Sequence, residues 1–125
     1  MKRIAVIEDD RDICAEVSEL LRDAGYRVAE ICEGEDVIEA VKDAVPDLVL
    51  LDVMMPGMDG WEVLKRLRDM PETGSLKVIM LTAKRGEKDK MIGLDILKAD
   101  GYVTKPFDSD ELLDKVDSLL FRSIT

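Results

Sequence analysis

The sequence predicts an α/β domain in which five strand–helix units, (βα)5, build one parallel sheet covered on both faces. Three observations carry this. Short apolar runs alternate with amphipathic segments along the whole chain. The runs are almost continuously apolar, as strands buried on both faces must be, not alternately polar like a half-exposed sheet. The connections are short and marked by Gly, Pro and Asp. No internal repeat, low-complexity tract or linker interrupts the pattern, so residues 1–125 read as one domain.

The first strand, Ile4-Ala5-Val6-Ile7, ends on Glu8-Asp9. A helix follows from Asp10 to Ala24, with Ile13, Val17, Leu20, Leu21 and Ala24 on its apolar face, and Gly25 ends it. Tyr26 to Ile31 is the second strand. Residues 35–44 form a second helix, with Val37, Ile38 and Val41 inward, which Pro46 closes. The third strand runs from Asp47 to Leu51 and ends on Asp52. The stretch from Asp52 to Gly60 is a turn-rich loop. Asp59 and Glu62 read as a capping pair for a third helix that buries Leu64 and Leu67. After a loop over 71–75, the fourth strand, Lys77 to Leu81, ends on Thr82. A fourth helix is expected over 87–98, with Met91, Leu94 and Leu97 on a short apolar face and Gly93 inside it. The fifth strand, Gly101 to Thr104, ends on Lys105-Pro106. The last helix starts at Asp108, has Glu111 three residues on, and lines up Leu112, Leu113, Val116, Leu119 and Leu120. The first and third strands are apolar throughout, which places them at the centre of the sheet.

Composition narrows the function. Hydrophobic residues make up 46% and charged residues 37% of the chain, enough for both a core and a soluble surface. No apolar run approaches the length of a membrane span, and the stretch after the basic start stops at Glu8, too short for a secretory signal. A net charge of -10 argues against nucleic acid as a partner of this domain. Cys14 and Cys32 match no metal spacing and read as thiols of a reducing cytoplasm. The absence of histidine removes any His-based nucleophile or His phospho-donor from the chain.

The chemistry lies at the strand ends. If the strands are neighbours in one parallel sheet, Glu8, Asp9, Asp52, Thr82 and Lys105 converge at the edge where open α/β sheets bind ligands. Two carboxylates ~4 Å apart repel by roughly 4 kcal/mol at an effective dielectric near 20, so a proton or a cation must offset them. Oxygen ligands from few carboxylates suit Mg²⁺, with a backbone carbonyl of the Asp52–Pro56 loop as a further donor. Alone, Glu8-Asp9-Asp10 is also an ordinary acidic helix start, Thr82 a β-former at a strand end, and Lys105 a solvated turn lysine. Asp52 is harder to read as incidental, because an acid ending four large apolar residues is costly without a use. It is a candidate nucleophile for an aspartyl-phosphate. Such a transfer depends on positioning and charge neutralisation, which a metal, Lys105 and the Thr82 hydroxyl would supply.

Glu8-Asp9, Asp52 within Asp52-Val53-Met54-Met55-Pro56-Gly57-Met58-Asp59-Gly60, Thr82-Ala83, and Tyr102-Val103-Thr104-Lys105-Pro106-Phe107 together resemble the two-component response-regulator receiver domain, across essentially the whole chain. The resemblance implies a flavodoxin-like sheet of order 2-1-3-4-5. It implies that Asp52 is the phospho-acceptor, taking phosphate from a sensor histidine kinase or phosphotransfer protein. It implies Mg²⁺, with Mn²⁺ as a substitute, held by Asp9, Asp52 and the Met54 carbonyl, with Glu8 acting through water. Thr82, Lys105 and the Ala83 amide would grip the phosphoryl group. Tyr102 would follow Thr82 as a switch, changing the surface of the fourth helix, fifth strand and last helix that a downstream target reads. Glu8 stands where many receivers have Asp, and Lys98 where many have Gly. Asp117 and Phe121 stand where many DNA-binding regulators of this kind have Arg, which implies a monomer. The expectation is therefore a cytoplasmic signalling module, not an enzyme, contacting neither nucleic acid nor membrane. It would turn over only its own phosphoryl group, with Met54 and Lys84 tuning its hydrolysis. The sequence is compatible with a stand-alone regulator and with the receiver of a longer kinase or regulator.

The alternatives are distinguishable. A Mg²⁺-dependent aspartate-nucleophile phosphatase usually carries a second acid two residues after the nucleophile, where this chain has Met54. A phosphate-independent interaction domain would lack the acceptor, the acid pair or the lysine. A flavin-binding fold would want a phosphate-cradling loop after the first strand, where this chain has Glu8-Asp9-Asp10-Arg11-Asp12.

Overall fold

The structure, a computed structural model, describes residues 1–31, 36–55, 58–82 and 99–121, with the backbone alone at 54, 58 and 82. The helix expected over 87–98, together with Cys32, Ala83 and Lys84, lies outside them.

The chain order is β1 (Arg3–Ile7), α1 (Arg11–Asp23), β2 (Arg27–Ile31), α2 (Val37–Ala44), β3 (Leu48–Asp52), β4 (Met54–Met55), β5 (Met58–Asp59), α3 (Gly60–Asp69), β6 (Lys77–Thr82), β7 (Gly101–Thr104) and a closing helix, Ser109–Phe121. Five strands form one parallel sheet in the order β2-β1-β3-β6-β7. Numbered among themselves these are 2-1-3-4-5, the expected flavodoxin-like order. β1 and β3 are interior strands, as their unbroken apolar runs require.

Alternate side chains of each strand enter opposite layers. Ile4, Val6, Leu48, Leu50, Ile79, Leu81 and Val103 pack with Cys14, Val17, Leu21, Leu112 and Val116 of α1 and the closing helix. Ala5, Ile7, Val49, Leu51, Val78, Met80 and Tyr102 pack with Val37, Ile38, Val41, Val63, Leu64 and Leu67 of α2 and α3. Each large aliphatic side chain buried this way stabilises the fold by about 1.5–3 kcal/mol before entropy is counted.

Acids start the helices. Asp10 accepts from the amides of Asp12 (3.0 Å) and Ile13 (3.2 Å), and Asp36 from that of Glu39 (3.2 Å). α1 ends in a Schellman turn at Gly25, φ 98°, with Tyr26 N donating to Leu21 O and Gly25 N to Arg22 O, each at 3.0 Å.

Two expectations are corrected. The buried face of α1 is Cys14, Val17, Ser18 and Leu21, an i, i+3, i+4, i+7 set. Ala24 is exposed, and Ile13 and Leu20 flank the stripe. The stretch after Asp52 is not simply a loop: Met54 and Met55 pair antiparallel with Asp59 and Met58.

Candidate functional site

Parallel register brings the strand ends together. Ile7 pairs with Leu51, Asp52 with Leu81, and Thr82 with Thr104, so residues 8, 52, 82 and 105 follow at one edge. The chain leaves β1 towards β2 on one side, while β3 lies on the other. The crevice between β1 and β3 is therefore the switch point at which such sheets bind ligands.

Glu8 and Asp52 are 1% and 5% exposed, and Asp9 is half-buried. One carboxylate oxygen from each of Glu8, Asp9 and Asp52 lies within 4.8 Å of the others. Lys105 Nζ reaches in from the end of β7, donating to Glu8 Oε2 at 2.6 Å and standing 3.4 Å from Asp52 Oδ1. The second oxygen of Glu8 accepts from the Asp10 amide at 3.1 Å. The Lys105–Pro106 peptide is cis.

Burial pushes the Glu8 carboxyl above the ordinary glutamate range. The Lys105 hydrogen bond opposes this, and the neighbouring Asp52 adds to it. Burial also disfavours the Lys105 charge, but its hydrogen bond to Glu8 and the charges of Asp52 and Glu8 outweigh that and hold its pKa above the usual lysine value. Lys105 therefore stays an ammonium among the acids.

The backbone around Asp52 is held as firmly. Val53 N donates to Leu81 O at 2.9 Å, and Gly60 N donates to Val53 O at 2.7 Å. A Cβ on Gly60 would overlap the Asp52 carbonyl oxygen and lie 2.7 Å from Val53 Cα, so only glycine fits where α3 starts against the end of β3. Asp59 caps α3 by accepting from Trp61 N at 2.9 Å.

The structure thus gathers Glu8, Asp9, Asp52 and Lys105 into one cluster. Thr82 ends β6, one residue past the strand partner of Asp52. Met54 lies two residues beyond Asp52, paired with Asp59. Tyr102 lies apart from the cluster in the layer of α2 and α3, 8% exposed, stacked on Trp61 with ring centroids 6.3 Å apart. That stack escapes the sequence pattern. Trp61 reads there as a partly exposed helix residue, and no periodicity relates it to a strand forty residues on.

Three carboxylates this close, offset by one ammonium, fit a small divalent cation: the donors are hard oxygens, few in number and on a stiff edge. With Lys105 beside them, the same groups can neutralise the oxygens of a phosphoryl group placed on Asp52.

A family model described as the response regulator receiver domain matches residues 4–117. The transcriptional regulatory protein DltR of Streptococcus agalactiae serotype III (strain NEM316) is 45% identical over 115 residues, covering 91% of this chain and 50% of DltR. The chain thus spans about half the length of the curated relatives it matches. Among solved structures, a response regulator from Chloroflexus aurantiacus J-10-fl superposes with a TM-score of 0.87 at 33% identity, covering 95% of this chain and 97% of that one. The chemotaxis protein CheY4 of Vibrio cholerae superposes with a TM-score of 0.88 at 30% identity, covering 96% of this chain and 99% of CheY4. The matches lend no support to a phosphatase. With its acids and lysine gathered at the switch point of a 2-1-3-4-5 sheet, the chain belongs to the response regulator receiver domain family of two-component signalling.

Proposed function

We propose that Asp52 accepts a phosphoryl group from the phosphohistidine of a sensor kinase or phosphotransfer protein. An Asp52 carboxylate oxygen forms the new bond to phosphorus as the nitrogen–phosphorus bond breaks and the imidazole leaves. The observation that carries this reading is the Glu8–Asp9–Asp52 cluster, with Glu8 and Asp52 buried, and Lys105 Nζ in reach of both of them.

In this reading Asp9, Asp52 and the Met54 carbonyl hold Mg²⁺ or Mn²⁺, with Glu8 behind a water. The engagement of both Glu8 oxygens with Lys105 and Asp10 favours that indirect role. When bound, the cation neutralises charge on the transferring group. Lys105 takes a second phosphoryl oxygen as a point charge. The Thr82 hydroxyl and the Ala83 amide take the third, and Tyr102 follows Thr82.

The domain is a switch, not an enzyme with a separate substrate, and its only turnover is loss of its own phosphoryl group. A downstream target reads the face of β7 and the closing helix, together with the helix expected from the sequence over 87–98. We place the domain in the cytoplasm as a monomer. Its charge of -10 keeps nucleic acid off this domain, and no helix among the described residues is long and apolar enough to cross a membrane.

Intact mass after incubation with acetyl phosphate and Mg²⁺ tests this. One labile phosphoryl gain is expected, lost in Asp52→Ala and on chelation of the metal. A gain that survives Asp52→Ala overturns the assignment.

A further inference from the structure

We propose that Trp61 is a positioning residue for the Tyr102 switch, tying it to the backbone of the acceptor Asp52 through the first turn of α3. The proposal rests on the phospho-acceptor reading above and adds a second route from acceptor to switch, separate from Thr82.

The route is a short chain of contacts. The planes of the Trp61 and Tyr102 rings lie 24° apart with centroids at 6.3 Å, within the offset-stacked range of aromatic pairs. Tyr102 is 8% exposed in this position, and Trp61 packs half-buried against the same core layer. On its other side Trp61 is anchored. Its own amide donates to Asp59 Oδ1 at 2.9 Å. Its neighbour Gly60 donates to Val53 O at 2.7 Å and sits so close to the Asp52 carbonyl that a Cβ there would overlap it.

The consequence is mechanical. A side chain on a free helix face could follow Tyr102 if that ring moved. The backbone of Trp61 cannot, because the turn that carries it is fastened to residues 52 and 53. Departure of Tyr102 therefore breaks the stack, and the stack favours the buried Tyr102 position. Conversely, a shift of the acceptor backbone as Asp52 gains a phosphoryl group is passed through Gly60 to the indole, and from it to Tyr102. Coupling of this kind is reciprocal: weakening the stack biases Tyr102 between its two positions, roughly three- to ten-fold for an aromatic pair of ordinary strength.

Trp61 is the single tryptophan of the chain, so its emission reports the surroundings of this one indole, and the Tyr102 variants isolate the part that comes from the stack. The experiment records that emission during phosphorylation by acetyl phosphate and Mg²⁺, with the phosphorylated fraction read by intact mass on the same samples, for the parent, Tyr102→Phe and Tyr102→Leu. The expected result is an emission change that tracks the phosphorylated fraction, persists in Tyr102→Phe, and falls at least about three-fold in Tyr102→Leu. A phosphorylated parent with unchanged emission overturns the proposal alone, as does Tyr102→Leu with the full change. A parent that neither gains a phosphoryl group nor binds Mg²⁺ overturns the acceptor reading and this proposal with it.

Trp61→Ala gives a second readout that leaves Tyr102 in place. Nitration of Tyr102 by tetranitromethane, located by peptide mass, is expected to speed up roughly three- to ten-fold in the unphosphorylated protein. An unchanged rate contradicts the stack's role in holding Tyr102.

Discussion

Glu8 is almost fully buried with both oxygens engaged, one by Lys105 at 2.6 Å and one by the Asp10 amide at 3.1 Å. Asp52 shares the same lysine at 3.4 Å. Charge is therefore unbalanced: three acids face one ammonium, and Asp52 is the acid whose removal leaves the shorter pair intact. Asp52→Asn is expected to raise stability to urea by about 1 kcal/mol in the absence of metal, since it removes repulsion and leaves Glu8–Lys105 in place. Lys105→Met is expected to act oppositely, lowering stability by about 1–3 kcal/mol as Glu8 loses its partner. Equal destabilisation by both would contradict this account of the cluster. Tyr26 offers a pH test far from the site. Burial, then the hydrogen bond it donates to Asp117, then the Asp117 charge all raise its pKa above the ordinary 10.0. The folded state thus holds this proton more tightly than the unfolded state. The contribution is full below pH 10.0 and is lost as pH rises beyond it. Asp117→Asn is expected to bring the Tyr26 titration, followed by NMR of the labelled ring carbon, back towards its ordinary value. These residues were unequally legible. Glu8, Asp9, Asp52 and Lys105 stand out because charges ending apolar strands are conspicuous. The Tyr26–Asp117 bond does not, because ninety-one residues separate its partners.

At the scale of elements, the strands and helix starts follow from local rules, and the errors follow from tertiary ones. Asp10, Asp36 and Asp59 cap their helices as acids at such positions do. The inward face of α1 departed from hydropathy because the sheet accepts Cys14 and Ser18 and leaves Ala24 in solvent. The short β4–β5 pairing was hidden because Met54-Met55 and Met58-Asp59 carry no alternation long enough to read. The start of α3 is the element most tightly bound to function. Gly60→Ala is expected to cost about 1–3 kcal/mol in stability, because the new methyl meets backbone and not a yielding side chain. It is also expected to slow phosphoryl gain from acetyl phosphate by displacing Asp52, as followed by intact mass. Unchanged stability and rate would show that the turn yields without moving the acceptor. On the closing helix, Asp117 bonds Tyr26 and Phe121 stacks on the same ring at 6.2 Å. Both positions thus serve an intramolecular contact.

For the whole molecule, alternation and apolar runs define the class of fold and the edge where the site lies. The order of the strands is not written in composition; it came from the resemblance carried by the strand-end motifs, and the parallel registers agree with it. The molecule holds its acids together at a cost that Lys105 offsets in part and that, in the function proposed above, a bound cation would offset further. Adding Mg²⁺ at ten times its dissociation constant is expected to stabilise the fold by about 1.4 kcal/mol. Thermal unfolding of the parent should shift upward accordingly, and that of Asp52→Asn much less. An equal shift in both would place the metal elsewhere. The central claim is the identity of the acceptor, and it is tested most directly by borohydride reduction of the phosphorylated protein followed by peptide mass mapping. Reduction turns an aspartyl-phosphate into homoserine. Homoserine is expected at position 52 and at no other acid; homoserine at Asp9, Asp10 or Asp59 with Asp52 unchanged would place the acceptor elsewhere.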